Sequence, residues 1–497
     1  MENQIEKKKL LVIGCGIAGL TAGIYAARAG FDVQIFEQHN IPGGFQTGWS
    51  RQGFFFEGGM HWLTGSSEKT PLSRIWKEVG ALQQNNPVEI RDPFYTLIDN
   101  SKKICMYRDV KKLKKEFLSY APEDKKMIKR LCKDISYFKS VHMPVLDIFG
   151  VKCKNPTKFN LFEFIAMAPA GLRYFYLKNI SYKNYVAKFK NKNLRHLLMS
   201  VIGDRYNALS FIYTMGALAS GDGGYPLGGS VQLVENMKKT FEELGGKIFF
   251  KSFVEKIQIE NYKAIGIQTS NGFISGDAII VTTDMRQAID NFFEKPILEK
   301  WTKNFRRDLD GSQNIFIGMG LKGDFSHLPT SIVFPLEKPF EYGGCSFNEL
   351  RINNYSKYTD HAPSGKTTFT CILLAACYDF WKKAKENGSY KEKKKEFANL
   401  FIEKLENFIP EIKDKIEVID VATPVTYERY CKSFKGSWMT VWKPKSKKPH
   451  LPQKLKHIKN VYFAGQRLLM CGGLPMAAFT ARKVIQLLCR DTNTLFI

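Results

Sequence analysis

The sequence predicts an α/β protein, a Rossmann-like dinucleotide-binding domain into which an α+β domain with a mixed sheet and a basic helical region is inserted. Three observations lead there. "LLVIGCGIAGLTAG", residues 10–23, runs from an apolar strand through a glycine turn into a small-residue helix. The C-terminal stretch has the same order: strand "NVYFAG", a glycine loop, then the helical "PMAAFTARKVIQLLC". Between these ends, residues 101–222 are patterned as Lys- and aromatic-rich helices, so the nucleotide unit is interrupted. At 497 residues the chain is too long for one ordinary core. The expected division is 1–100, 223–300 and 440–497 for the nucleotide domain, with 101–222 and 301–439 forming a substrate and membrane-facing domain.

The elements follow in order. Residues 10–14 form a short apolar strand, 17–29 a helix ended by Gly30, and "DVQIFE" the next strand. Residues 110–145 alternate Lys with Leu, Phe and Ile at helical spacing, and aromatic-rich helical patterns continue over 159–220. "GGYPLGGSVQLVENMKKTFEELGGKIFF", residues 223–250, reads as loop, helix, Gly-Gly stop and strand. Residues 252–284 read as strands with tight turns at Asn261 and at Asn271-Gly272. Further strands are expected within 312–380, "NIFIGMGL" and "TTFTCILLAACY" among them, and a charged helix over 390–407 stops before Pro410.

Composition narrows the class. Hydrophobic residues make up 44% and aromatics 13%, enough for a packed globular chain. No stretch reaches the roughly 18 uninterrupted apolar residues of a spanning helix, and "MENQIEKKKL" runs into a strand without an apolar signal region. The expected location is cytoplasmic, with peripheral membrane contact. Ten scattered cysteines, with no CxxC pair and no Cys/His cluster at metal spacing, point to reduced core residues and no metal. Cys15 and Cys471 lie beside glycines, where small-residue packing explains them.

The formal charge of +26 is unevenly placed. Residues 101–200 hold 23 Lys/Arg against 7 Asp/Glu, and residues 443–460 contain no acidic residue. Basic patches attract phosphates, but no helix-turn-helix, zinc-finger or RNA-binding signature accompanies these. Cations interleaved with aromatics, as in "GLRYFYLKNISYKNYVAKFKNKNLRHLL", suit an anionic membrane surface as well as a plain solvated Lys-rich one.

Gly14, Gly16 and Gly19 complete G-x-G-x-x-G between strand and helix: one for the tight turn, one for close approach to a pyrophosphate, one for helix–strand packing. Glu37, 18 residues after Gly19, ends the second strand, where it would accept hydrogen bonds from ribose hydroxyls. A carboxylate there disfavours a 2′-phosphate, leaving NAD or FAD. The stretch "EQHNIPGGFQTG" then separates the two. A second glycine pair, Gly43-Gly44, is superfluous in a simple NAD dehydrogenase but lets backbone N–H groups reach the pyrophosphate in a two-domain flavoprotein.

Residues 12–63, from "VIGCGIAGLTAG" to "EGGMHWL", resemble the start of the phytoene desaturase, carotenoid isomerase and retinol saturase group, FAD proteins of the amine-oxidase-like superfamily. "GGYPLGGSVQLVENM", "SGDAIIVTTD", "IPEIKDKIEVIDVATPVTYERY" and "NVYFAGQRLLMCGGLPMAAF" are similar to its later blocks, so the likeness spans nearly the whole chain and is weakest over 105–210. The resemblance implies an FAD-binding domain of glutathione-reductase type. It implies that Gly14, Gly16, Gly19 and Glu37 hold the ADP half, that Gly43 and Gly44 lie against the pyrophosphate, and that the Val254 backbone contacts adenine. Gly465 and Gln466 stand where the family has Gly-Asp or Gly-Glu toward the ribityl chain, and Gly473, Leu474 and Pro475 open a helix toward the flavin pyrimidine edge. Phe45 replaces a common arginine.

The implied activity is FAD-dependent desaturation or saturation of C=C bonds in a lipophilic substrate, a polyene, isoprenoid or related lipid, by hydride transfer to or from the flavin. With one complete dinucleotide signature, the flavin would exchange electrons with a loosely docking NAD(P)H, a quinone or oxygen. His61 is the titratable candidate for proton transfer. Tyr225, the second catalytic candidate, and Trp438 are placed along a substrate tunnel. The alternatives are a redox-neutral isomerase, an amine oxidase, which a basic entrance disfavours, and a non-catalytic prenyl-lipid binding protein on the same fold.

Overall fold

Strand β1 (Lys9–Ile13) is buried on both faces: Leu10 and Val12 belong to one apolar cluster and Leu11 and Ile13 to another. A strand with two apolar faces needs cover on both, which is the condition for a parallel sheet inside an α/β layer. The computed structural model shows such a sheet, in the order Val461–Phe463, Ala278–Val281, β1, β2 (Asp32–Phe36), Lys247–Phe249, all parallel. It describes residues 7–497 apart from 84–86, 101, 158–160, 162–164, 166, 443–450 and 470–471. Helix α1 (Ile17–Arg28) follows β1 and packs on one face with the C-terminal helix Gly473–Asp491. A three-stranded antiparallel sheet, Val254–Glu260, Lys263–Thr269 and Gly272–Ser275, covers the other with Val254, Ile257, Ala264 and Ile267. Its first turn uses Asn261 and Tyr262, both at positive φ, and its second leads into Gly272 at φ 114°, as the turn residues predict.

The inserted domain is built on a seven-stranded sheet in the order Ile416–Ala422, Asn314–Lys322, Lys366–Leu374, Cys345–Asn354, Ser331–Tyr342, Tyr95–Asp99, Lys102–Met106. Its pairs are antiparallel except Ser331–Tyr342 with Tyr95–Asp99. Helices Tyr378–Glu386 and Tyr390–Glu406 cover one face through Trp381, Phe397 and Phe401. The basic insertion is a helical layer with its own core. Leu113, Phe117, Leu131, Ile135, Leu197 and Phe211 are fully or almost fully buried in it, while the lysines stay on its outside.

Three boundaries differ from those expected. Tyr95–Asp99 belongs to the large sheet and not to the nucleotide domain. Helix Lys300–Asp308 buries Phe305 in the cluster of Leu11 and Phe463, on the nucleotide side. Val145 packs in the cluster that holds Tyr25 and Phe496, so this part of the insertion rests on the nucleotide domain. Alternation along a strand tells which face is buried but not which sheet the strand joins.

That last contact is charged. Arg482 of the C-terminal helix is 1% exposed and reaches Asp147 Oδ1 at 2.7 Å. Losing one partner of such a pair costs about 3–5 kcal/mol, whereas replacing both by apolar groups is close to neutral. Asp147→Ala is expected to lower the unfolding free energy by about that amount, and Asp147→Leu with Arg482→Met to recover most of it, in urea denaturation.

Candidate functional site

The two layers enclose a cavity of about 680 Å³. One half is walled by the nucleotide domain. The β1–α1 turn begins it: Gly14, at φ 100°, donates its N–H to Phe36 O, and a Cβ there would sit 2.9 Å from Thr282 Oγ1. Gly19 faces away from the cavity, and its role is packing, since a Cβ would lie 1.9 Å from Gly14 O. Gly16 precedes α1 without a side-chain cap, so the helix presents uncapped N–H groups and its positive end to the cavity. Glu37, 8% exposed, accepts from Cys15 N–H at 2.8 Å and His39 N–H at 2.9 Å and still lines the wall. A carboxylate has four lone-pair positions, so two remain for a ligand. Gly43 and Gly44, at φ 110° and 61°, meet this turn, with Gly43 N–H donating to Cys15 O at 2.8 Å. Val254 opens its strand at the same wall. The Cys15 side chain is fully buried and does not line the cavity, and burial with the nearby Glu37 holds its thiol neutral; Cys471 lies outside the described residues.

Gly465, Gln466, Gly473, Leu474 and Pro475 close the far end. The Gln466 amide is engaged at both ends, Nε2 donating to Trp438 O at 2.7 Å and Oε1 accepting from Gly473 N–H at 2.9 Å. The neutral residue therefore ties two loops together, and next to it Arg467 reaches Asp284 at 2.8 Å.

The other half is walled by the insertion and the large sheet: Tyr95, Met143, Val201, Ile202, Tyr206, Tyr213, Arg351, Asn353, Ile372 and Leu374. His61 stands in this wall, its Nδ1 3.4 Å from Asn353 Nδ2. Burial, then the positive charges of Arg91 and Arg351, depress its pKa to about 4, so the imidazole is neutral near pH 7. It can donate or accept a hydrogen bond there, but it holds no acidic proton to deliver. Tyr225 is displaced from the expected position: it is 1% exposed behind the wall, hydrogen-bonded to Glu57, with the Arg91 guanidinium 3.9 Å from its ring centre. Burial and Glu57 push its phenol far up, and it does not line the cavity. "YP" forms a short strand with Val88–Glu89 that turns the Tyr225 ring inward. Trp438 does line the cavity.

The sequence left the wall residues Gln46 and Thr283 unrecognised. Gln46 (2% exposed), Thr283 and Trp438 each place a polar atom in the wall (Nε2, Oγ1 and Nε1) that is buried and without a protein partner. Gln46 lies two residues after the glycine pair and Thr283 two residues beyond the strand Ala278–Val281 of the nucleotide sheet; these places were the available signals. Buried polar atoms need partners, and a ligand with a pyrophosphate and a polar ring edge supplies them. The residues present therefore fit FAD.

The parallel sheet, the paired glycine loops and an apolar chamber continuous with them define a flavin-dependent oxidoreductase. The chain belongs to the flavin containing amine oxidoreductase family, whose model matches residues 17–484. It is similar to all-trans-retinol 13,14-reductase of Danio rerio, 26% identical over 96% of this chain and 85% of that one. It is also similar to the chloroplastic prolycopene isomerase of Daucus carota, 24% identical over 86% and 71%. Among solved structures it resembles an oxidoreductase from Methanosarcina mazei, with a TM-score of 0.60, 18% identity, and 96% of this chain and 100% of that one covered. Bound there, FAD supplies hydride transfer; the chain supplies position, polarity and exclusion of water.

Two outcomes follow. Glu37→Ala removes an anionic acceptor and leaves Cys15 N–H unpaired, and is expected to weaken FAD binding about 10- to 100-fold, read by flavin fluorescence at equilibrium. Because the folded protein holds His61 neutral while the unfolded chain protonates it near 6.5, its contribution to stability is complete above pH 7 and is lost as pH falls toward 4. Between pH 7 and pH 5, wild type is expected to lose about 2 kcal/mol more than His61→Phe in denaturant unfolding.

Proposed function

We propose that the protein transfers hydride between its flavin and a C=C or CH–CH bond of a lipophilic substrate, a polyene, isoprenoid or related lipid. The observation that carries this reading is the continuity of the cofactor cradle with a chamber walled by Val201, Ile202, Ile372, Leu374 and Met143. The carboxylates among the lining residues, Glu37, Glu255 and Asp284, all belong to nucleotide-domain segments. Among the described lining residues an ammonium substrate would find no carboxylate from the inserted domain, which disfavours amine oxidation. The intact cradle, with its partnerless donors, argues against a protein that only carries a lipid. Electrons would come from or go to a diffusible NAD(P)H.

Delivery of such a lipid would be from an anionic membrane surface. Helix Ala168–Lys178 exposes Leu172 (86%) and Phe175 (69%) on one face, and Phe149 is 97% exposed earlier in the insertion. These lie in the segment with 23 Lys/Arg against 7 Asp/Glu, so apolar insertion and attraction to anionic headgroups act together. No helix among the described residues is long and apolar enough to cross a membrane.

An anaerobic absorbance spectrum tests the reading. The purified protein is expected to show two flavin bands that bleach with dithionite and recover on reoxidation by substrate or acceptor; bleaching by NADPH would identify the donor. Absence of flavin, even after reconstitution with FAD, would overturn it. Leu172→Glu with Phe175→Glu is expected to reduce sedimentation with phosphatidylserine vesicles by at least about tenfold while leaving the flavin spectrum unchanged.

A further inference from the structure

Strand Cys345–Asn354 reads "CSFNELRINN", and its alternation separates two environments. Leu350 and Ile352 are buried among Trp381, Phe397 and Phe401. Glu349, Arg351 and Asn353 point the opposite way, as alternate residues of a strand must, and Arg351 and Asn353 line the cavity. A chamber for pure hydrocarbon needs no such row, because desolvating an ion pair costs more than an apolar wall of the same volume.

The hydrogen bonds show which groups remain available. Arg351 holds Glu349 Oε1 with Nε and Nη2 at 2.9 and 2.8 Å and donates from Nη1 to Ser200 O at 3.0 Å. Two of its five N–H groups are then uncommitted, and the residue faces the cavity. Asn353 Oδ1 accepts from Ser331 Oγ at 3.3 Å, and its Nδ2 faces His61 Nδ1 at 3.4 Å. An amide donor at Nδ1 makes that nitrogen the acceptor and leaves the hydrogen on Nε2. The wall thus offers N–H donors from His61 and Arg351, both of which line the cavity.

We propose that the lipid substrate bears an uncharged oxygen, a hydroxyl or carbonyl, received by His61 Nε2–H and the uncommitted N–H groups of Arg351. The inference rests on the lipid reading above and specifies its polar end. A neutral oxygen fits better than a carboxylate because Glu349 already balances Arg351 at 2.8 Å, so a second anion would lie beside Glu349 without a cation of its own. The imidazole, neutral at working pH because its pKa is near 4, adds a donor but no charge.

The test uses flavin-loaded protein and four probes of matched length: retinol, retinal, retinoate and the hydrocarbon axerophthene, titrated by polyene absorbance and fluorescence. Retinol or retinal is expected to bind about tenfold or more tighter than axerophthene, the yield of one or two neutral hydrogen bonds. The better of the two identifies the oxygen as hydroxyl or carbonyl. His61→Phe and Asn353→Leu are expected to erase most of the preference with little effect on the hydrocarbon. Because Arg351→Met alone would strand Glu349, it is paired with Glu349→Gln, with the unfolding midpoint measured alongside. Equal affinity for retinol, retinal and axerophthene in wild type would overturn the proposal, and so would tightest binding of retinoate. Failure of all four to bind would overturn the lipid reading itself and this inference with it.

Discussion

The architecture depends on how closely α1 approaches the end of β1. With no Cβ at Gly19, the helix settles onto Gly14 O at a separation that any side chain would prevent. That contact puts the helix N-terminus at the head of the cavity and leaves room for the Gly43-Gly44 loop to seat against Gly16. The loop in turn fixes Gln46 and Gly59 beside the chamber, and Glu57 gathers the N–H groups of Gly59, Met60 and Ser230 around one buried carboxylate. Cofactor cradle and substrate wall are therefore consecutive in space because they are consecutive in this chain of close backbone contacts.

The nucleotide half was legible in the sequence because its requirements are local. A glycine turn, a strand with two apolar faces and an acidic residue at the end of the next strand are properties of about 30 residues each. Gly14, Gly16, Glu37, Gly43 and Gly44, which local pattern singles out, line the cavity, as do Val254, Gly465 and Gly473, which the family resemblance adds. The substrate half was not legible, because its wall is assembled from residues 95, 143, 201–214, 351–353 and 372–374, which no spacing rule connects. Tyr225 illustrates the limit. It follows a glycine pair, as cavity residues often do, yet its short strand turns the ring into the core, toward Glu57 and Arg91.

Charge is handled in opposite ways outside and inside. The surface carries a large uncompensated positive charge, in which individual lysines interact weakly through water. Inside, each guanidinium has a carboxylate or carbonyl partner: Arg351 with Glu349, Arg482 with Asp147, Arg108 with the carbonyls of Asp222 and Gly223. An external field can thus orient the protein toward an anionic surface without imposing a net charge on the chamber, where a lipid and a flavin have to meet.

The strand Cys345–Asn354 carries a consequence for how this protein can diverge. Over residues 349–353 its alternate positions serve two unrelated purposes, a sealed hydrophobic layer at Leu350 and Ile352 on one side and the chemistry of the chamber at Arg351 and Asn353 on the other. A single inserted or deleted residue would exchange the two sets, driving Glu349 and Arg351 among Trp381 and Phe397 while presenting Leu350 and Ile352 to the ligand. Within this strand, point replacements at 351 and 353 change the chamber wall while the length stays constant. The spacing of this segment becomes a fixed ruler on which specificity is rewritten one side chain at a time.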